Sequence, residues 1–317
     1  MISILIDPNT GKMDSVQLNL MNTTFHICIE NSNGVEWKEP VISFLRYIHE
    51  EFSRFRKNNE LWQLNEAPRN ETVRVSPVLY DMLKKAEGYR KKTGGRFSPY
   101  LLIPLEKHGY NRSFPFQTAD NEKTDIQYKN ETEPLIFKED YQIVKKTDQK
   151  IDLGGIAKGY AVEAAANWLK RHTRSKYGIV DGGGDMSVWS NGEKTWKIGI
   201  IDPFDEKKTI GSFFIRNGGI ATSNIVYRSW VQGNERKHHL LDGRNGMPVT
   251  TDIVQATVVT EHCLDAEVAA KVCFMANDVS VDSVLFGFCR KFSYLLVRTG
   301  KTIIMGGNQT NEPGNTF

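Results

Sequence analysis

Short runs of β-branched and aromatic residues are interspersed with amphipathic helical stretches, and the two kinds do not alternate strictly as in a doubly wound sheet. The runs that predict strands are 23–30, 135–137, 141–145, 150–153, 177–180, 196–201, 212–215, 254–260, 292–298 and 302–305. The spacings that predict helices are 42–55, 77–89, 159–169 and 264–275. This order predicts an α+β fold with mixed, largely antiparallel sheets and packed helices.

The chain has 317 residues, a length that fits one large unit or two lobes. Hydrophobic residues make up 39% and charged residues 25%, a balance that argues against general disorder. The polar segment 111–133 is broken by Pro115 and by several Asn and Asp residues. We therefore expect a single domain spanning 1–317, or two lobes with a loop boundary near 111–133.

Charge and hydropathy argue against two classes of partner. A net charge of +3 gives no reason to expect a nucleic acid, and no run of about 18 apolar residues predicts a membrane span. The N-terminus lacks the basic and apolar regions of a signal peptide, and the four cysteines include no Cys-x-x-Cys pair. Reduced, buried thiols and a cytoplasmic location are expected, with an extracytoplasmic location as the alternative if the natural chain has been trimmed.

The most informative stretch is Asp-Leu-Gly-Gly-Ile-Ala-Lys-Gly-Tyr at 152–160, where a predicted strand ends and a helix begins. Paired glycines let a ligand approach the backbone, and the helix start offers N–H groups to an anion. Lys158 adds positive charge to this turn, and Asp152 adds a hydrogen-bond acceptor. The spacing matches neither a P-loop nor the dinucleotide-binding fingerprint. The pattern alone leaves open a turn that serves only close packing.

Four further features have the residue types of a binding site. They are the glycine cluster 181–185 between two aspartates, the segment 218–224, the His-His-Leu-Leu-Asp-Gly-Arg segment that opens 238–248, and Asp265 at a helix start. Each has an ordinary structural explanation when taken alone: glycines bend strands, and acidic residues favour helix N-termini. A histidine three residues before an aspartate and next to a turn favours a site.

In this order the motifs resemble the ApbE family. The matching blocks are Asp-Leu-Gly-Gly-Ile-Ala-Lys-Gly-Tyr-Ala-Val, Gly-Gly-Asp, Gly-Ile-Ala-Thr-Ser, His-x-x-Asp-x-Arg-x-Gly-x-Pro and the helix-start Asp. The N-terminal half agrees through Phe-Ser-Arg-Phe at 52–55 and Thr-Gly-Gly-Arg-Phe-Ser-Pro at 93–99. The resemblance extends from about 22 to 275, and five ordered blocks are far more specific than one motif.

The resemblance implies an activity and its partners. Family members bind FAD and magnesium, attach FMN through a phosphoester bond to a Thr or Ser of a partner protein, and release AMP. The implied partners are therefore FAD and an acceptor protein that carries the flavinylated Thr or Ser. Carried over residue by residue, the resemblance implies FAD contacts at Met21, Phe55, Arg96, Phe97, Ser98, Asp152, Lys158 and His239.

The resemblance also implies a metal site and catalytic residues. The backbone carbonyl of Gly155 and the carboxylate of Asp265 are the implied Mg²⁺ ligands, and hard oxygen donors suit that ion. His239 and Asp265 are the implied catalytic residues. His239 or a nearby carboxylate would take the proton of the attacking hydroxyl.

The chain departs from the family pattern at a few positions. The family commonly has Asp where this chain has Ser98, Gly where it has Asn22, and Pro where it has Gly243. A threonine four residues after the helix-start Asp supplies a second side-chain metal ligand in the family, and this chain has Ala269 there. Asp265 and position 269 share a helix face, so the substitution removes one oxygen that a water could replace.

Two alternatives to the transferase remain open on the sequence. The first is an FAD pyrophosphatase, in which water replaces the acceptor and the products are FMN and AMP. The second is a non-catalytic FAD-binding protein, which the alanine at Ala269 favours.

Overall fold

The structure is a computed structural model that describes residues 2–4, 13–119, 128–192, 194–276 and 279–309. The helices in these ranges are α1 Lys38–Glu51, α2 Glu60–Glu66, α3 Pro77–Lys92, α4 Leu102–Lys107, α5 Ala157–Thr173, α6 Cys263–Val272 and α7 Val281–Phe286, with a 3₁₀ turn at Cys273–Met275. The strands in chain order are β1 Ile2–Ile4, β2 Asp14–Leu20, β3 Thr23–Ile29, β4 Thr72–Arg74, β5 Thr118–Ala119, β6 Leu135–Phe137, β7 Gln142–Lys145, β8 Tyr177–Asp181, β9 Met186–Ser190, β10 Trp196–Asp202, β11 Asp205–Ile215, β12 Gly218–Asn224, β13 Ser229–Gln232, β14 Glu235–His238, β15 Leu241–Asp242, β16 Met247–Pro248, β17 Ile253–Thr260, β18 Phe292–Arg298 and β19 Ile303–Gly307.

The chain divides into two compact units. The first unit combines Met1–Tyr47, Lys158–Asn224 and Asp252–Phe317, and the second combines Ile48–Ala157 and Ile225–Thr251. The described parts of the polar segment 111–133 lie within the second unit, and residues 120–127 of that segment lie outside the described residues.

The first unit is built on an antiparallel sheet in the strand order β19-β18-β17-β12-β9-β8-β3-β2. Helix α6 packs against β12 and β17 of this sheet. Leu264, Val268 and Val272 lie on one stripe of α6, and all three are buried. At Gly219 of β12 an added Cβ would overlap the backbone of Cys263, so only glycine lets the start of α6 lie this close to the sheet.

The second unit contains a smaller sheet in the order β4-β7-β6 and a buried aromatic cluster. The cluster centres on Tyr110 and Trp230, whose ring centroids are 5.3 Å apart. Helix α3 begins as the sequence predicts: the hydroxyl of Ser76 accepts a hydrogen bond from the N–H of Leu79, and Pro77 occupies the first helical position.

The α+β fold with largely antiparallel sheets is confirmed; the parallel pair among the described strands is β5 with β13. The helix predicted at 42–55 begins and ends four residues earlier, as α1. It ends at Glu51 because the side-chain amide of Asn59 donates to the carbonyls of Glu50 and Ser53 at 2.8 Å each. The same side chain caps α2 by accepting from the N–H of Trp62.

The strand predicted at 150–153 is wrong. The backbone of Ile151 exchanges two hydrogen bonds with the side chain of Asn65, and the N–H of Asp152 donates to the carbonyl of Pro99 at 2.8 Å. Because side-chain and loop partners satisfy this backbone, no ladder forms. The third strand beside the β6–β7 hairpin is β4 instead.

No helix within the described residues is long and apolar enough to cross a membrane. Cys263, Cys273 and Cys289 are buried as expected, whereas Cys28 is half-buried, and none of the four forms a disulfide bond. Burial raises the pKa of the Cys263 and Cys273 thiols, which disfavours the reactive thiolate.

Candidate active site

The predicted site residues are divided between the two units. The first unit contains Met21, Lys158 and Asp265. The second contains the other predicted residues, namely Phe55, Arg96, Phe97, Ser98, Asp152, Gly155 and His239. The approach of Asp265 to the Gly155 carbonyl joins the two groups and stays a prediction.

Met21 lies in the two-residue turn between β2 and β3. Its φ is 51° and that of Asn22 is 57°, both in the left-handed region. Asn tolerates this conformation, whereas Met rarely adopts it, so Met21 holds strain of about 1–3 kcal/mol. A two-residue type I′ hairpin turn requires positive φ at both positions, so the turn accounts for this conformation, and the FAD contact at Met21 stays a prediction.

The glycine cluster 181–185 forms the tight turn between β8 and β9. The N–H of Gly184 donates to Oδ1 of Asp181 at 2.8 Å, and burial raises the pKa of that carboxyl group. The ammonium group of Lys158 forms an ion pair with Asp185, whose side chain is only 3% exposed. The lysine predicted to contact FAD is therefore anchored to the glycine turn.

Helices α5 and α6 cap each other within the first unit. The N–H of Gly159, in the first turn of α5, donates to Oε2 of Glu267 at 2.7 Å. The N–H of Leu264, in the first turn of α6, donates to Oε2 of Glu163 at 3.1 Å. A carboxylate from each helix thus satisfies a donor at the start of the other, and this fixes the turn of α6 that carries Asp265.

Two of the N–H donors at the start of α5 are satisfied by the protein itself. The N–H of Ala157 donates to the carbonyl of Leu153 at 2.8 Å, and that of Gly159 donates to Glu267. Burial alone would raise the pKa of Glu267, but the charges of Lys271 and Lys158 and the Gly159 N–H outweigh it and lower the pKa. The anion bound at this helix start is therefore a side chain of the protein itself.

Asp265 is partly exposed in the first turn of α6, and Ala269, one turn later, is fully buried. Among the residues that the structure describes, no group of three or more His, Cys, Asp and Glu side chains could hold a metal ion. A metal at Asp265 would therefore need backbone, substrate or water oxygens in its shell.

In the second unit, the predicted contact Arg96–Phe97–Ser98 follows the end of α3. The hydroxyl of Thr93 accepts from the N–H of Phe97 at 3.1 Å and donates to the carbonyl of Tyr89 at 2.8 Å. The side chains of Phe97 and Ser98 are buried. A ligand at this turn would therefore meet the backbone or the half-buried side chain of Arg96.

Two departures from the family pattern lie against each other. The N–H of Gly243 donates to the carbonyl of Arg96 at 2.9 Å, which a proline at that position could not do. A Cβ added to Gly243 would lie 2.6 Å from Cβ of Ser98, too close for a side chain. The hydroxyl of Tyr128 donates to the carbonyl of Gly243 at 2.9 Å and lies 3.1 Å from Oγ of Ser98. The two changes therefore belong to one local packing arrangement.

The two adjacent histidines have different surroundings. Nδ1 of His239 lies 3.3 Å from the carbonyl of Arg228, which can only accept, so Nδ1 is the donor of this hydrogen bond. His238 accepts from the N–H of Leu240 and bonds the carbonyl of Val249, and burial lowers its pKa. His238 is a structural residue, whereas Nε2 of His239 is the ring nitrogen that could act as a general base when the ring is neutral.

Asp152 is fixed from two sides. Its Oδ1 accepts from the N–H of Gly154 at 2.9 Å, and its Oδ2 lies 2.9 Å from Nε of Arg54. The side chains are 5% exposed for Arg54 and 13% exposed for Asp152, so water screens this ion pair weakly. The carboxylate therefore has a fixed orientation beside Gly154 and Gly155.

Five residues without a predicted role hold the predicted site residues or their turns in place. They are Arg54, Thr93, Tyr128, Glu163 and Glu267. Each acts through a contact distant in sequence or through a hydroxyl. Arg54 and Thr93 stand in the matching blocks 52–55 and 93–99, but neither block assigns them a role.

The model of the ApbE family matches residues 21–284, most of the chain and every predicted site residue. The chain belongs to the ApbE family. This ApbE-family chain is 26% identical over 223 residues to an FAD:protein FMN transferase of Klebsiella pneumoniae, with 69% of each chain covered. It is 25% identical over 254 residues to the FAD:protein FMN transferase of Treponema pallidum, with 75% of this chain and 70% of the relative covered.

Solved structures of the ApbE family have the same fold. The ApbE protein of Thermotoga maritima superposes with a TM-score of 0.77 at 25% identity, and 92% of this chain and 96% of that one are covered. The flavin transferase ApbE of Vibrio cholerae gives a TM-score of 0.72 at 19% identity, with coverage of 93% and 97%.

Proposed function

We propose that this chain is an FAD:protein FMN transferase, which moves FMN from FAD to a Thr or Ser hydroxyl of a partner protein and releases AMP. The observation that carries the proposal is the extent of the match. Proteins named for this activity match about 69–75% of the chain, and the family match includes every predicted site residue from Met21 to Asp265.

The reaction balances without an oxidant or a covalent enzyme intermediate. The acceptor oxygen attacks the phosphorus atom on the FMN side of the pyrophosphate, and the bond from that phosphorus to the bridging oxygen breaks. AMP leaves with the electron pair, and the acceptor proton goes to a base. The hydrogen bond from Nδ1 of His239 to the Arg228 carbonyl supports His239 as that base.

The residues present fit a magnesium ion. A carbonyl at Gly155 and a carboxylate at Asp265 are hard oxygen donors, and Mg²⁺ typically takes one or two carboxylates with phosphate and water oxygens. The pairing of these two donors rests on the resemblance to the ApbE family. When bound, the ion would neutralise charge on the FAD pyrophosphate.

A non-catalytic FAD-binding protein is the second candidate. Ala269 favours it, because a fully buried methyl group stands where the family pattern has a hydroxyl ligand. In that case Asp152, Lys158 and His239 would bind FAD, and the FAD pyrophosphate would not be cleaved.

Mass spectrometry of an acceptor protein separates these functions. The probe is a protein whose threonine carries phosphoester-linked FMN in its own host, prepared without flavin and incubated with this protein, FAD and Mg²⁺. A mass gain of one FMN less water on that threonine is the expected result, and His239→Gln should slow it about a hundredfold or more. Unmodified acceptor with free FMN would indicate a hydrolase, and unchanged FAD would indicate a binding protein.

A further inference from the structure

Arg54 is the one described guanidinium whose donors are buried and left without protein acceptors. Its Nε pairs with Asp152, but Nη1 and Nη2 have no contact with solvent and no hydrogen-bond partner. A buried N–H donor without an acceptor is unfavourable, because folding removes its hydrogen bonds to water and supplies no replacement. Such a group is rare in a folded protein and calls for an explanation.

The surroundings of Arg54 are aromatic and carry no excess positive charge. Its guanidinium carbon lies 4.4 Å from the ring centroids of both Phe55 and Tyr110, and we call these two rings the aromatic corner. Asp152 already balances the Arg54 charge, and the Glu106 carboxylate also interacts with it. Burial raises the pKa of Glu106, while the charge of Arg54 lowers it.

We propose that Nη1 and Nη2 of Arg54 bind the pyrimidine edge of the FAD isoalloxazine ring, where N1 and the C2 carbonyl oxygen are adjacent acceptors. This inference rests on the proposed function. The fixed fork of a guanidinium matches two adjacent acceptors, as in its pairing with guanine. Each acceptor on the adenine edge neighbours an amino donor or a carbon, so adenine does not offer such a pair.

Electrostatics favour the ring over the phosphates. A pyrophosphate at Arg54 would lie beside the carboxylates of Asp152 and Glu106, and their repulsion would offset the attraction of one guanidinium. A neutral acceptor edge meets no such repulsion, and it supplies the two missing hydrogen bonds. An Arg beside N1 and the C2 carbonyl would also stabilise the reduced, anionic flavin.

Phe55 is the more exposed of the two rings beside these donors. Its side chain is 40% exposed, whereas Tyr110 is 9% exposed, so Phe55 is the member of the aromatic corner that can turn aside. Exposed side chains change rotamer within nanoseconds, which is fast compared with ligand binding. We expect FAD to displace the Phe55 ring and then use it as a stacking surface.

Affinity for FAD analogues tests the proposal on the wild-type protein. In 1-deaza-FAD a carbon replaces N1, and in 5-deaza-FAD a carbon replaces N5. Wild-type protein should bind 1-deaza-FAD about tenfold more weakly than FAD, the loss of one good hydrogen bond, while 5-deaza-FAD binds as FAD does. Equal affinity for FAD and 1-deaza-FAD would overturn the proposal.

Variants assign the effect to Arg54. In Arg54→Gln and Arg54→Lys the penalty for 1-deaza-FAD should vanish, because neither side chain has the fork, and ADP affinity should stay at the wild-type value. Arg56→Gln, at a side chain 49% exposed in the same loop, is the matched control and should keep the penalty. A penalty that persists in Arg54→Gln, or a loss of ADP affinity equal to the loss of FAD affinity, would overturn the proposal.

The outcome is independent of the transferase test. Wild-type protein that binds no FAD, or binds FAD without transfer, contradicts the proposed function. If wild-type protein transfers FMN but binds FAD and 1-deaza-FAD with equal affinity, only the role of Arg54 is contradicted.

Discussion

The backbone N–H of Gly159 donates a hydrogen bond to Oε2 of Glu267 at 2.7 Å, across 108 residues of sequence. The other oxygen of this fully buried carboxylate accepts from Nζ of Lys271 at 3.1 Å. Together with the bond from Leu264 to Glu163, this contact joins the glycine motif to the helix that carries Asp265.

Glu267→Ala should lower the free energy of unfolding by about 3 kcal/mol or more, because it leaves the Gly159 N–H without its acceptor and removes the buried carboxylate that pairs with the Lys271 ammonium. Urea denaturation measures the loss. Glu261→Ala is the control, since Glu261 is 43% exposed and 3.8 Å from Lys291, and it should change stability by less than about 1 kcal/mol. Equal losses in the two variants would contradict the capping role of Glu267.

Gly243→Ala should destabilise the second unit by about 1–3 kcal/mol, because its Cβ would press on Cβ of Ser98. It should also weaken FAD binding, because the 96–98 turn must shift. Gly88→Ala is the matched control: nothing lies within 4 Å of an added Cβ in α3, and alanine should stabilise that helix by about 0.5–1 kcal/mol. Thermal unfolding and flavin fluorescence report the two effects, and a neutral Gly243→Ala would show that the contact is loose.

Acid should destabilise the protein in part through His238. Burial lowers its pKa from the ordinary value of 6.5, so the folded chain binds fewer protons than the unfolded chain just below that pH. The contribution of His238 to the free energy of unfolding is complete above pH 6.5 and is lost as the pH falls below that value. His238→Gln should therefore flatten the change in unfolding free energy between about pH 7.5 and pH 5. His172→Gln, at an exposed position, should retain the wild-type change; the same change in both variants would contradict the assignment.

Two substitutions on α6 test the predicted metal site. Asp265→Ala should weaken Mg²⁺ binding in the presence of FAD by about tenfold or more, since it removes the one predicted carboxylate ligand. Ala269→Thr should tighten Mg²⁺ binding, because its hydroxyl shares the helix face of Asp265. Ala269→Val has the same shape without the oxygen and controls for crowding at this buried position. Calorimetric titration measures all three, and equal Mg²⁺ affinity in the Thr and Val variants would contradict the ligand role of position 269.

Most elements of the fold could be predicted from the sequence where the local pattern and the tertiary environment agree. The strand at 23–30 and the Ser76-capped helix follow directly from residue types. The error at 150–153 arose because Asn65, 86 residues away in sequence from Ile151, supplies the backbone partners that a strand would otherwise need. The pattern of a single segment cannot reveal such a partner.

The candidate site residues were predicted from motifs, but the contacts that hold them in place could not be. Resemblance indicated Asp152 and the helix-start Asp265, whereas Arg54 and Glu267 act through contacts that exist only after folding. The departures Ser98 and Gly243 looked unrelated in the sequence, and the structure places them in contact.

Release of AMP with and without an acceptor tests the transferase proposal most directly. FAD and Mg²⁺ are incubated with the protein in the presence and absence of the unflavinylated acceptor, and AMP and acceptor-bound FMN are quantified over time. The account predicts one AMP for each FMN attached and negligible AMP without acceptor. AMP released at the same rate without acceptor, or no AMP in either case, would contradict it.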